Sequence, residues 1–273
     1  MKIQYQDKHC IVFESALFRT TSTLIITPSF LLLVDPNWLP LEVAFIRQHL
    51  EQQSKGQPLY LLFTHSDYDH IIGWQAFPEA QVIASAAFVH NSSKTKIIEQ
   101  INNFDDEYYI QRTYPIAYPT VDLIIAEAEQ QLDIGDFRLS FYQAPGHNAD
   151  GLFTFLAPLG IWIAGDYLSN IEFPYIYHSS HDYLNTLDKA QRILDNQSPQ
   201  LLIPGHGDAT TDHQEMQRRI KDSYRYLHQL QESVANNQPF DLEKLWQQYQ
   251  FPKVMQGFHE ANVELVRKEK RGE

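Results

Sequence analysis

The apolar run Leu59-Tyr60-Leu61-Leu62-Phe63 has the length of a β-strand, and Thr64-His65-Ser66-Asp67-Tyr68-Asp69-His70 follows it directly. His65, Asp67, Asp69 and His70 crowd four metal-capable groups into six residues. Such groups repel or desolvate one another unless a cation sits among them. The fold must therefore hold this segment on a rigid framework, at the end of a strand. The arrangement recurs downstream. Phe137 to Gln143 leads to Pro145-Gly146-His147, Gly160 to Ala164 leads to Gly165-Asp166, and Leu201-Leu202-Ile203 leads to Pro204-Gly205-His206-Gly207. A glycine before each of these three ligands lets the backbone turn sharply and come close to a site. Imidazole suits zinc and iron, whereas carboxylates suit harder cations and can bridge two of them. A single His or Asp after a strand is usually a solvated loop residue or a cap; seven in this pattern point to a metal centre.

Between these points the pattern alternates strand and helix, which argues for layered α/β structure. Ile11 to Phe18, Thr23 to Ile26, Leu31 to Val34 and Gln81 to Ala84 read as further strands. Leu41 to Gln53 reads as an amphipathic helix with Leu41, Phe45, Ile46 and Leu50 on its apolar face. Ile71 to Phe77 reads as a short helix ending at Pro78. Leu132 to Asp136 is a hairpin turn, and Gly151 to Leu156 pairs with Gly160 to Ala164. Tyr183 to Leu194, His213 to Val234 and Leu242 to Tyr249 read as helices. The 273 residues are expected to form a single domain, 1–273, with an insertion over about 88–125 and a C-terminal helical extension over about 211–273. The insertion, rich in Asn, Tyr and Pro, reads equally well as a lid or as a surface appendage.

The formal net charge of −13 disfavours a nucleic-acid partner, since basic residues are scattered. Cys10 is alone, so no disulfide forms within the chain, and a reducing compartment fits. The N-terminus lacks the apolar block of a signal peptide, and Leu24 to Val34 is broken by Thr27-Pro28-Ser29 and too short to span a bilayer. These features read as a soluble, cytoplasmic protein acting on a small molecule, monomer or homodimer.

The ordered set His65, Asp67, Asp69, His70, His147, Asp166 and His206 resembles the metallo-β-lactamase superfamily, whose hallmark is His-x-His-x-Asp-His, then His after Pro-Gly, Asp after Gly, and His after Pro-Gly. Leu33-Val34-Asp35-Pro36 resembles the family's strand before its first helix, and the likeness spans roughly residues 10 to 210. The resemblance implies an αββα sandwich of two mixed sheets with a two-metal site at one edge. It also implies that His65, Asp67 and His147 hold one metal, that Asp69, His70 and His206 hold the second, and that Asp166 bridges them with a water or hydroxide between. Asp69 is the expected catalytic residue, orienting the nucleophile and passing a proton to the leaving group.

Position 67 departs from that pattern, with Asp where most of the family has His. Two divalent cations, three carboxylates and one hydroxide sum to zero charge, one unit lower than with the usual ligands. A more neutral site is a weaker Lewis acid. Zinc is the family's expected metal, while the oxygen ligand shifts preference toward iron or manganese. Flavodiiron proteins resemble the chain here through a Glu at the matching position, but 273 residues leave no room for their flavodoxin-like domain. The expected activity is hydrolysis of a small ester, lactone or thioester; the alternatives are a di-iron (or Fe/Mn) redox or oxygen-handling protein and a small-molecule phosphodiesterase.

Further candidates carry weaker signals. His178, His181 and Asp182, with Tyr167, Tyr175, Tyr177 and Tyr183, could stand at the mouth of the site, though Ser180 or Asp182 as a helix N-cap is the plainer reading. His259 and Asn262 could pack beside the site, though a surface helix is the plainer reading there. Phe240, Leu242, Leu245, Trp246, Tyr249 and Phe251 read as packing. No substrate-binding residue is legible.

Overall fold

A computed structural model describes residues 1–272. The first sheet has seven strands in sequential order: β1 (Lys2–Gln6), β2 (Cys10–Glu14), β3 (Thr21–Ile26), β4 (Leu31–Val34), β5 (Leu59–Leu62), β6 (Gln81–Ser85) and β7 (Leu123–Ile125). It is antiparallel from β1 to β4 and parallel from β4 to β7. The second sheet has the order β12-β11-β10-β9-β8, with β8 (Glu129–Ile134), β9 (Phe137–Gln143), β10 (Leu152–Ala157), β11 (Ile161–Ile163) and β12 (Leu201–Ile203). Only its β11–β12 pair is parallel.

Period-two alternation distributes the apolar side chains of each strand between two layers. In β4, Leu32 and Val34 enter the core between the sheets, while Leu31 and Leu33 face the outer helices. In β10, Leu152 and Leu156 point inward, and Phe153 and Phe155 meet the opposite helical layer. The first sheet's outer face is covered by α1 (Pro40–Gln53) and α4 (Lys94–Glu107). The second sheet's is covered by α5 (Ser180–Gln197), α6 (His213–Asn236) and α8 (Pro252–Arg271). Two mixed sheets between helical layers make the expected αββα sandwich. Short helices α2 (Tyr68–Ile71), α3 (Ala86–Val89) and α7 (Leu242–Trp246) complete the set. Among the described residues, no helix is long and apolar enough to cross a membrane.

Several expectations are corrected. The strand expected over Ile11 to Phe18 stops at Glu14, because the chain turns through positive φ at Phe18 and Arg19. The buried face of α1 is Glu42, Val43, Ile46 and Leu50, and Leu41 is 85% exposed. Buried Glu42 holds the chain entering α1, accepting from Ser15 Oγ and the backbone of Ala16; a burial pattern drawn from apolar residues alone misses it. The helix expected over Ile71 to Phe77 is split into α2 and a 3₁₀ turn, Trp74–Ala76, with Gly73 between them. Phe251 and Leu242 are exposed, whereas Phe240, Leu245, Trp246 and Tyr249 do pack.

The stretch read as an insertion is the crossover from β6 to β7, so its last residues, Leu123–Ile125, belong to the sheet. Arg112 fastens it: the guanidinium makes two 2.8 Å bonds to Asp105 and a third to Trp38 O.

Candidate metal centre

The seven side chains come from both sheets. Thr64 to His70 leaves the end of β5; His147, Asp166 and His206 follow β9, β11 and β12. The sheets are tied at this edge by Thr21 N–H to Gly205 O (2.7 Å) and Leu152 N–H to Thr64 O (2.8 Å). Two glycines allow the approach. Gly146 has φ +135°, and a Cβ there would meet the Tyr183 backbone at 2.4 Å. A Cβ on Gly205 would lie 2.0 Å from Asp166 Oδ1.

The ligand-type atoms fall into two groups: His65, Asp67, His147 and Asp166 in one, and Asp69, His70 and His206 in the other. Asp166 touches both. Its Oδ2 lies 3.3 Å from His147 Nε2 and from His206 Nε2, and its Oδ1 lies 3.1 Å from His70 Nε2.

An oxygen at Nδ1 orients each histidine. His70 Nδ1 faces Asp35 Oδ2 at 3.0 Å, His147 Nδ1 faces Tyr175 O at 2.7 Å, and His206 Nδ1 faces Phe18 O at 3.0 Å. These oxygens only accept, so each Nδ1 carries the proton. His65 Nδ1 lies 3.0 Å from Thr64 Oγ1, whose own proton goes to Asp35 Oδ2. All four Nε2 lone pairs are thereby turned inward. The carboxylate at position 67 is held as well: Asn148 Nδ2 donates to its Oδ1 at 2.7 Å, and its Oδ2 faces His147 Nε2 at 3.1 Å.

The residues fit a cationic occupant. His65 Nε2, His70 Nε2 and Asp166 Oδ1 are buried with no hydrogen-bond partner; the close approach of His70 to Asp166 lacks hydrogen-bonding geometry. Protons otherwise do a cation's work here. Burial and the neighbouring His70 disfavour charge on His65, yet Asp166 and Asp67 outweigh them and raise its imidazole to about 10. Burial pushes Asp166 upward, but His206, His70 and His65 hold it well below the usual carboxylate range. Asp69 is raised, chiefly by burial.

The centre opens into a cavity of about 820 Å³. Phe18, Trp38 and Tyr68 line one wall, and Tyr175, Tyr177 and Phe258 another. The crossover contributes Asn91 and Lys96, so it does border the site. Tyr167 Oη accepts from His147 N–H and donates to Ala144 O, which places it behind the site. His178 reaches the cavity and faces Asp182 at 3.3 Å. The N-cap of α5 is Ser179, not Ser180 or Asp182. His259 and Asn262, expected on a surface helix, are buried. Asp35, Glu172, Asn148 and Phe18 O were not foreseen as contributors, and Tyr175 was expected to offer its hydroxyl. Asp35 carries a readable signal, since it follows an apolar strand as the ligands do. Tyr175 acts through its carbonyl, which any residue supplies. Glu172, a cavity-lining acid raised by burial, lies in no recognisable motif.

A family model described as the metallo-beta-lactamase superfamily matches residues 16–209, and the chain belongs to that superfamily. Solved structures agree in fold. The sec-alkylsulfatase Pisa1 from Pseudomonas sp. is similar at 12% identity and TM-score 0.68, over 96% of this chain and 50% of that one. The chain thus spans about half the length of that sulfatase. A metallo-beta-lactamase family protein from Thermus thermophilus is similar at 16% identity and TM-score 0.64, over 97% and 94%. An archaeal superfamily protein from Sulfolobus tokodaii is similar at 14% identity and TM-score 0.56, over 98% and 100%. No curated protein matches the chain by sequence.

Proposed function

We propose that the chain is a metal-dependent hydrolase of a small ester, lactone, thioester or similar acyl compound. In this reading His65, Asp67 and His147 hold one metal ion, Asp69, His70 and His206 hold a second, and Asp166 is shared. The supporting observation is the inward set of four Nε2 atoms around three carboxylates, each imidazole oriented from behind by an oxygen. Bound there, two divalent cations acidify water and polarise a scissile oxygen. The chain's own residues do the rest. Asp69 orients the nucleophile and passes a proton to the leaving group. The aromatic walls exclude water and take the apolar part of the substrate. Asn148 fixes one oxygen of Asp67 and leaves the other for the metal.

The carboxylate at 67 favours iron or manganese in part of the sites, and this supports a second reading as a di-iron redox or oxygen-handling protein. A panel of chromogenic ester, lactone, thioester, phosphodiester, sulfate-ester and β-lactam substrates, run with zinc, manganese and iron, separates the two. Acyl turnover abolished by a chelator and restored by metal supports the hydrolase. No turnover with any metal, beside a redox-active visible spectrum, replaces it with the second reading.

A further inference from the structure

We propose that Asn262, on α8, is a positioning residue that sets His147 in the metal centre by clamping the peptide units on either side of Tyr175. The inference rests on the two-metal reading above. His147 Nδ1 donates to Tyr175 O at 2.7 Å, so the imidazole points wherever that carbonyl directs it. Asn262 grips both neighbours of Tyr175. Its Nδ2 donates to Pro174 O at 2.7 Å, and its Oδ1 accepts from Ile176 N–H at 2.8 Å.

The amide can face only one way, because Pro174 O only accepts and Ile176 N–H only donates; its second N–H goes to Tyr226 Oη at 2.9 Å. Tyr226 in turn points its hydroxyl at His259 Nδ1, 3.1 Å away. Burial favours the neutral form of His259, which can accept that proton. Asn262 is wholly buried, and Tyr226 and His259 are buried beside it, so water cannot replace these bonds. Phe258, one turn before Asn262, adds a second hold: its ring stacks on Tyr175 at 4.2 Å and 14°. The loop closes on His147 from the other side too, through Tyr177 N–H to His147 O at 2.8 Å. None of His65, His70 and His206 has its Nδ1 partner on this loop; those partners lie at Thr64, Asp35 and Phe18. The clamp therefore acts on one ligand of one metal group. Its gripping residues, Phe258 and Asn262, lie beyond residue 209, outside the stretch the superfamily model matches.

The test is a zinc titration of the metal-stripped full chain against a chromophoric chelator, with ¹⁵N spectra of the histidine rings. Asn262→Leu is expected to weaken one of two zinc equivalents by roughly 10- to 100-fold and leave the other within about twofold. It should also remove the Nδ1–H signature of one ring of the four. Phe258→Leu should weaken the same equivalent less, and it carries the test if Asn262→Leu does not fold. Val266→Ala, a core truncation on the same helix, should lower Tm and leave both equivalents alone. Wild-type affinities in both clamp variants overturn the proposal, and so does parallel weakening of both equivalents. A wild-type chain that takes up no zinc overturns the two-metal reading itself, an outcome distinct from a variant that binds like wild type.

Discussion

Asp67 stands where the motif this chain resembles has His, and its carboxylate is held on both oxygens. Asn148 binds one oxygen, and the other faces His147. Asp67→His removes one negative charge from the centre. The expected outcome is a higher zinc-to-iron ratio in protein purified without added metal. Turnover should also develop at lower pH, because a more positive centre makes bound water more acidic. Elemental analysis and a pH–rate profile check both; an unchanged metal ratio would mean that Asp67 is an ordinary oxygen ligand for zinc. Asp69 carries a separate expectation. Asp69→Ala should cut kcat by roughly 10²- to 10⁴-fold in whatever fraction keeps both metals. Full turnover with both metals bound would remove Asp69 from the chemistry.

At the scale of elements, the site depends on how strands end and how the segments beside it are fastened. The crossover from β6 to β7 borders the cavity and is pinned by Arg112 on Asp105, with the Arg112 side chain 2% exposed. Arg112→Ala leaves Asp105 buried without its partner, at a cost of about 3–5 kcal/mol. Denaturant unfolding measures that loss, and a change within experimental error would show the pair to be dispensable. On the other side of the cavity, Ser179 Oγ accepts from Asp182 N–H at the start of α5. Ser179→Ala should cost about 1 kcal/mol, read as a lower Tm. Strand positions were largely legible, because buried strands are short apolar runs bounded by turn residues. The face of α1 and the cap of α5 were not. Glu42 is buried because Ser15 and Ala16 approach it from a distant turn, and nothing in the local pattern announces that.

For the whole molecule, the two-metal reading predicts that metal binding is coupled to stability. In the metal-free chain His65 is raised from 6.5 to about 10. A raised folded-state value means its contribution is complete below about pH 6.5 and is lost as pH rises through about 10. Metal-stripped protein should therefore lose Tm across that interval, and metal-loaded protein should hold it, because the cation replaces the protons. Parallel melting curves with and without metal would contradict this. The sequence by itself determined the order of candidate ligands at strand ends, because an apolar run, a turn and a ligand-type residue are local features, and its resemblance to the superfamily implied the αββα class. Only the tertiary structure decided which atoms orient those ligands. Asp35, Phe18 O and Tyr175 O lie 35, 188 and 28 positions from the histidines they hold. It alone brought Asn262 onto the loop behind His147, from a helix that reads in sequence as surface. The physical reason is that hydrogen bonds made by backbone carbonyls leave no trace in residue identity, and the burial of a polar side chain is set by what packs over it.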